Sequence, residues 1–308
     1  MDLELSTEQS MLDDSVRALF SDHAGHQRAQ VVRDLPGGID HELVHRLTVG
    51  GFLDVLAEAG PIEAVLVVER AAAAVAAAPI AARVLVGPLA GLTDLPSLVG
   101  LVAGPGSLVR YAGSCEAYLV LDRDGARLAA ADDVEVEHVP SRAGYPMGRV
   151  HVRTGEELGL PIAAALRRAW QVGIAVETGA MATAAVEFAA HHVSDRHQFG
   201  RPIGSFQAVQ HRLARSYSMA QATRWMARRG AWHHDDEHLT ASAATFACMT
   251  ARETYDNTHQ VVGGIGITSE YGMVEWTMRL LAVHTELGGR RAHARRVTAS
   301  RAEHLARQ

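Results

Sequence analysis

Apolar residues recur at helical spacing over most of the 308-residue chain, with one stretch as the exception. Near the start, Met11, Leu12, Val16, Leu19 and Phe20 form roughly one face, and Thr7 is placed to cap that helix. A second helix is expected from Asp40 to Leu47. The segment PIEAVLVVERAAAAVAAAPIAARVLVGPLAGL then predicts two alanine-rich helices broken at Pro79. Alanine is the best helix former, and proline removes a helical N–H and crowds the turn before it.

Between about 110 and 158 the period becomes that of strands. AYLVLDRDGARLAAADDVEVEHV holds an apolar run, a turn signal at Asp124-Gly125, and alternation at Val134, Val136 and Val139; GRVHVRTG alternates again. About four short strands are expected. They are too few for a substantial closed barrel, so the unit should pack on the helices.

Helices then resume to the end of the chain. Pro161 opens one reaching His192, Ser205 caps the next from Phe206 towards Trp232, and Thr240 starts a third that Gly263, Gly264 and Gly266 end after Val262. Ser269 begins a helix running through Glu275 to Val283, and Gly288-Gly289 precede an arginine-rich last one. Long helices with short connections make a bundle. The expected fold is mainly α: an N-terminal helical domain (1–109), a reduced middle β unit (110–158) and a C-terminal four-helix bundle (159–308).

Composition narrows the classes. With 48% hydrophobic and 21% charged residues, the chain should fold rather than stay disordered. A formal net charge of −6 disfavours a dedicated nucleic-acid binder. Charge is uneven, since Arg290, Arg291, Arg295, Arg296 and Arg301 crowd the C-terminal segment against Glu286. Cys115 and Cys248 give no disulfide framework and no metal-ligand spacing. A reducing, cytoplasmic setting is expected. The acidic, amphipathic opening lacks the order of a signal peptide. The most apolar region, Ala64 to Leu92, is interrupted by Glu69, Arg70, Pro79 and Arg83, so a buried helix pair is expected rather than a membrane span.

The densest chemistry lies in SDRHQFGRPIGSFQAVQHRLA, from Ser194 to Ala214. One reading is structural: a turn in which Arg196 favours a helix C-terminus. The other is a binding surface, with Arg196, Gln198 and Gln207 on phosphate and nucleotide oxygens and Phe199 and Phe206 in apolar contact. Gly263 and Gly264 likewise read either as a helix C-cap or as a place where backbone approaches a bulky group. HHDDEH (His233 to His238) resembles a metal cluster in composition but has no second ligand set. It reads as a solvated connection, and no metal is expected.

These segments resemble the acyl-CoA dehydrogenase family. DRHQFGRPIGSFQAVQ is similar to its Arg-x-Gln-Phe-Gly-x-Pro and Phe-Gln-x-x-Gln signature, and HQVVGGIGITSEY to its Gln-x-x-Gly-Gly-x-Gly-x-x-x-Glu-Tyr motif. The opening MDLELSTEQSMLDDSVRALF and VVERAAAAVAAAPIA are similar to its N-terminal helices. The resemblance implies an FAD flavoprotein that desaturates acyl-CoA thioesters between the α and β carbons and passes electrons to an electron-transfer flavoprotein. It implies that Arg196, His197, Gln198, Phe199, Phe206 and Gln207 contact flavin nucleotide held mainly by a neighbouring subunit. Gln260, Val261, Val262, Gly263 and Gly264 would approach the adenine end.

Departures from the family pattern shape the rest. The Thr-Glu-Pro-x-x-Gly-Ser-Asp segment of the family's middle domain is missing. The usual catalytic glutamate, nine residues past an arginine, falls on Gly288 when counted from Arg279, and Glu286 is the nearest carboxylate. The family's second location for the base falls near Trp170. Arg167 and Arg168 sit where an arginine commonly assists CoA binding. The reduced β unit resembles the smaller subunits of α2β2 acyl-CoA dehydrogenases acting on steroid-derived CoA thioesters, which implies a longer family member as partner. A self-sufficient homo-oligomer and a catalytically silent structural subunit are the alternatives.

Overall fold

The computed structural model describes residues 4–122 and 125–306; Asp124 of the expected turn lies outside them. Helix α1 (Thr7–His23) is capped by Ser6 rather than Thr7. The Ser6 hydroxyl accepts from the Gln9 amide at 3.2 Å, and Gln9 returns the bond to the Ser6 N–H at 3.0 Å. This reciprocal pair satisfies two free donors at once. Met11 stands 66% exposed, whereas Val16 and Phe20 are buried. The buried Asp13 is held by Arg70 at 2.7 and 2.5 Å, from the next long helix. α2 (His26–Arg33) and α3 (His41–Val49) follow, the latter capped by Asp40, then the short α4 (Val55–Glu58).

The alanine run departs most from its propensity. α5 (Pro61–Ala73) ends six residues before Pro79, and α6 (80–89) resumes with a π-helical turn over Ala82–Val86. Donors from elsewhere take the intervening carbonyls. Trp276 Nε1 donates to Ala73 at 2.7 Å, Arg279 to Ala76 at 3.1 Å, and the Asp40 N–H to Ala77 at 2.9 Å. Tertiary hydrogen bonds thus replace the helical ones that alanine would favour.

The β region starts earlier than the expected boundary at 110 and, among the described residues, has seven strands, not four. They are β1 (Val99–Val102), β2 (Ser107–Arg110), β3 (Ala117–Leu121), β4 (Ala126–Ala130), β5 (Val134–Val139), β6 (Met147–Val152) and β7 (Glu156–Glu157). One sheet has the order β1-β3-β4-β7 and the other β2-β6-β5. β1 runs parallel to β3, with Val99 opposite Ala117; the remaining pairs in both sheets are antiparallel. The first two strands were missed because VGLV and SLVR are too short to show alternation. Arg110 ends β2 opposite Met147, so its side chain leaves the sheet towards the helices.

The bundle consists of α7 (Gly159–Asp195), α8 (Gln207–Trp232), α9 (Glu237–Val262), the shorter α10 (Val274–Val283) and α11 (Gly289–Ala306). Its contacts are lined with alanine: Ala169, Ala175, Ala182, Ala185, Ala220, Ala227, Ala243, Ala247 and Ala251 are all buried. Small side chains set short interaxial distances. At Gly179 a Cβ would stand 2.7 Å from Arg224 Cγ, so α8 lies against α7 where only glycine fits. α7 is long and apolar enough to cross a membrane, but 78% of its most apolar window is buried among the other elements. It is the central helix of the bundle.

Two caps differ from expectation. Ser205 donates its hydroxyl to Pro202 instead of capping α8, and α9 starts at Glu237 with Asp236, not Thr240, accepting from the amides of His238 and Leu239. That assigns part of HHDDEH a structural role, which His304 completes with a 2.7 Å bond to Asp236. Ser269 opens only a 3₁₀ turn, and α10 begins at Val274.

Candidate active site

Glu286 lies in a tight turn between α10 and α11, and the turn is bent the left-handed way. Leu287, Gly288 and Gly289 have φ of 52°, 86° and 65°. Glycine accepts this freely, whereas leucine there costs about 1–3 kcal/mol and persists only where surroundings enforce it. The enforcement comes from α7 and β2. Trp170 Nε1 donates to Glu286 Oε2 at 2.6 Å, and Arg110 Nε contacts Oε1 at 2.9 Å. His293, buried below on α11, bonds to the backbone at Glu286. The family's two alternative positions for the base, Trp170 and the region of Gly288, are therefore neighbours in space.

A second carboxylate completes the group. Glu177, two turns along α7 from Trp170, accepts from both terminal nitrogens of Arg110 at 2.8 and 2.9 Å. Tyr145 packs its ring 5.0 Å from the same guanidinium. The Glu286 side chain is only 16% exposed. Burial raises its pKa above the ordinary carboxylate range, Arg110 works against that, and Glu177 adds to it. Such a carboxyl can take up and hold a proton near neutral pH better than an exposed one.

Glu286, Glu177 and Trp170 line a cavity of about 500 Å³ whose other walls include Leu101, Leu108, Met147 and Leu281. Beside it, sharing Ala103, Leu287 and Gly288, runs a groove of about 1090 Å³ between the β region and the bundle, bearing Arg127, Arg167 and Arg296. Proximity of Arg296 and Arg168 joins burial in lowering the pKa of Arg167. Sequence reasoning put Arg167 and Arg168 together; the structure separates them. Arg168 donates from Nε to the His234 carbonyl at 2.9 Å, fixing the α8–α9 connection. Arg110, Glu177 and Arg127 were missed, and Arg296 was read only as one of the crowded C-terminal arginines. A lone acid in the apolar stretch AWQVGIAVETGAMA was the available signal for Glu177; nothing in sequence marks Arg110.

The motif residues lie at the other end of α7, about 39 Å from Trp170 at a helical rise of about 1.5 Å per residue. His197-Gln198 and Arg201-Pro202 pair as a hairpin around Phe199 and Gly200, whose φ of 54° and 77° fit the two-residue turn of a tight hairpin. Arg196, His197, Gln198 and Gln207 are all exposed. Phe199 is 91% exposed, touching Phe206 edge-on, and Arg201 lies 4.0 Å from the Phe206 ring centroid. Gln260 is exposed, and a Cβ on Gly263 or Gly264 would meet nothing within 4 Å. The expected contacts at Val261 and Val262 require correction. Both side chains are buried with Val193, Leu213 and Met273, because they are the last inward positions of α9. They join the two motifs from inside rather than facing a ligand.

The open glycine backbone, exposed phenylalanine and outward arginine fit a flat, anionic nucleotide approaching from outside the chain. They do not fit one cofactor shared with Glu286 in the same chain, since the gap exceeds an extended flavin nucleotide.

Residues 166–303 match the family description "Acyl-CoA dehydrogenase, C-terminal domain". Among curated relatives, the acyl-CoA dehydrogenase FadE34 of Mycobacterium tuberculosis is 34% identical over 132 residues, 41% of this chain and 19% of the relative. The probable acyl-CoA dehydrogenase YdiO of Escherichia coli K12 is 32% identical over 161 residues, 51% of this chain and 36% of the relative. The matched part of the chain thus spans well under two thirds of those proteins. Among solved structures, the ChsE4-ChsE5 complex of Mycobacterium tuberculosis has a chain that superposes with a TM-score of 0.84 at 21% identity, over 98% of this chain and 99% of that one. A chain of the Tcur3481-Tcur3483 steroid ACAD G363A variant gives 0.84 at 22% identity, over 97% and 99%. At such identities these establish the fold. Residues 166–303 thus match the acyl-CoA dehydrogenase C-terminal domain, and the chain has the fold of the acyl-CoA dehydrogenase structures it superposes on.

Proposed function

We propose that this chain takes part in FAD-dependent α,β-desaturation of a bulky acyl-CoA thioester, as one subunit of a heteromeric dehydrogenase, with Glu286 as the base. The observation that carries the reading is a buried carboxylate of raised pKa at the wall of a mostly apolar cavity, directly beside a groove with three arginines. The groove suits the phosphates of CoA, through Arg127, Arg167 and Arg296, and the cavity suits an acyl group. Bound flavin would supply the hydride acceptor for the β-carbon. Glu286 would take the α-proton, held in place by Trp170 and Arg110.

Distance supports assembly with another subunit. Arg196, Gln198, Phe199, Gln207, Gln260, Gly263 and Gly264 face outwards at the far end of α7, so they would hold nucleotide belonging to a neighbouring chain. A longer family member fits as partner, because this chain lacks the Thr-Glu-Pro segment and the two similar solved assemblies named above each join two differently named chains. A bulky, steroid-like acyl group is the proposed substrate class, an electron-transfer flavoprotein the proposed acceptor, and the cytoplasm the proposed location, in keeping with two free buried cysteines.

The test is Glu286→Gln in the complex co-expressed with a neighbouring family subunit. Turnover should fall by about 10²–10⁴-fold with the complex intact. Unchanged turnover would move the base to the partner and favour the silent-subunit reading, which the Arg110–Glu286 ion pair supports. A stoichiometric yellow flavoprotein from this chain alone, active on acyl-CoA, would instead establish the homo-oligomer.

A further inference from the structure

Three ionisable groups share one small volume beside the cavity, and their geometry is unequal. Arg110 gives both terminal nitrogens to Glu177 and only Nε to Glu286. The fork-to-carboxylate arrangement is the stronger of the two, because it aligns two charge-assisted bonds in parallel. Tyr145 covers one face of the guanidinium and its hydroxyl meets NH1 at 3.4 Å, so Arg110 has little room to turn. On the other side, Trp170 supplies the Glu286 carboxylate with a neutral donor.

We infer that Glu177 is a positioning residue for Glu286: it occupies the fork of Arg110 and so leaves Glu286 fixed by a single edge contact, able to accept a proton. Without Glu177, the guanidinium would have one carboxylate to neutralise it instead of two. Its whole charge would then act on Glu286 through the existing Nε contact and hold that carboxylate in the ionised form. The paired burial also explains why a glutamate stands in an otherwise apolar helix segment. A buried guanidinium bound to one edge of Glu286 needs a full counter-ion, and α7 supplies it. Other groups face the cluster as well: Tyr111 and Tyr145 from the β region, Cys248 from α9, Arg279 from α10, and Arg290 and His293 from α11. Only Glu177 engages the fork of Arg110 among the described residues.

The inference rests on the proposed role of Glu286 only for its consequence in turnover; the contact between the two groups is measurable without flavin or substrate. Trp170 donates directly to Glu286, so its fluorescence should report protonation of that carboxyl. The signal is isolated as the pH-dependent component lost in Trp170→Phe. In Glu177→Gln its midpoint should move down by about one pH unit or more. In Arg110→Gln it should move up. In the assembled enzyme, Glu177→Gln should lower kcat by about tenfold with little change in KM, and move the acidic limb of the pH–rate profile in the same direction. Glu177→Asp keeps the charge but shortens the reach, so its midpoint should fall between those of the wild type and Glu177→Gln; it also serves if the glutamine variant folds poorly. A midpoint unmoved in folded Glu177→Gln or Glu177→Asp overturns the inference. If the midpoint shifts while Glu286→Gln leaves turnover intact, the coupling stands and the assignment of Glu286 as the base fails.

Discussion

At Trp170 and Glu177, α7 is enclosed by the β region, α10 and α11, and Arg110, Glu177 and Glu286 are paired with one another. At Arg196, the same helix runs out into a hairpin whose arginine, glutamines and phenylalanine face outwards. Both ends carry polar chemistry on one rigid rod, yet the first is a finished internal network and the second an unfinished surface. The difference teaches how such a chain divides its work. On the proposed function, the group that must hold an unusual protonation state lies buried, whereas the groups that would meet another molecule are exposed.

The strongest way to break this comparison is at the enclosed end. Glu286→Gln should remove about 10²–10⁴-fold in turnover of the assembled enzyme while leaving flavin content unchanged. It should also stabilise the chain at alkaline pH. Burial raises the folded-state pKa of Glu286, so folding binds its proton more tightly and the native state loses stability as pH rises through the window above the ordinary carboxylate value. Thermal melts of wild type and variant from acid to alkaline pH should diverge in that direction; parallel curves would contradict it.

Midway along α7, Glu69 of α5 is 3% exposed and binds Arg224 at 2.7 Å and Arg228 at 2.8 Å. Glu69→Ala leaves two arginines in place without their acid and should cost about 3–5 kcal/mol in denaturant unfolding. This position is the control, with large loss of stability and no specific loss of chemistry beyond it.

At the open end the balance should reverse. Phe199→Ala and Arg196→Ala should each weaken flavin retention in the assembly by about 1–3 kcal/mol, measured by titration, with unfolding of the chain changed by no more than about 0.5 kcal/mol. A large stability loss from either would mean that the hairpin is structural after all. The smallest effect concerns acid. His293 has its pKa lowered by burial from 6.5 to about 4, so it is held neutral and its contribution falls away as pH drops from about 6.5 towards 4. His293→Gln should flatten that part of the stability profile.

The two regions also differed in how far they could be read in advance. The turn after α7 and the glycines after α9 are local signals: side-chain type, spacing and turn residues lie within a few positions of one another, so both segments were singled out, and only the pairing as a hairpin was not. Helix order and the bundle were legible for the same reason. Glu286 was singled out only by its distance from Arg279, and its surroundings were not legible. Arg110 precedes Glu177 by 67 residues and Glu286 by far more, and no periodicity links them. The alanine run after Ala73 shows the opposite failure. Its local preference was clear, and three donors from distant segments overrode it.

The sequence by itself therefore determined what depends on neighbours along the chain: the helical period, the turns, the exposed motif and the family resemblance. Tertiary structure decided what depends on neighbours in space. It chose Glu177 as the partner of Arg110, separated Arg167 from Arg168, turned Val261 and Val262 inwards, and set the two candidate sites at opposite ends of α7. The physical reason is that burial and ion pairing act over distances of a few ångströms, and only the packed fold fixes which residues those are.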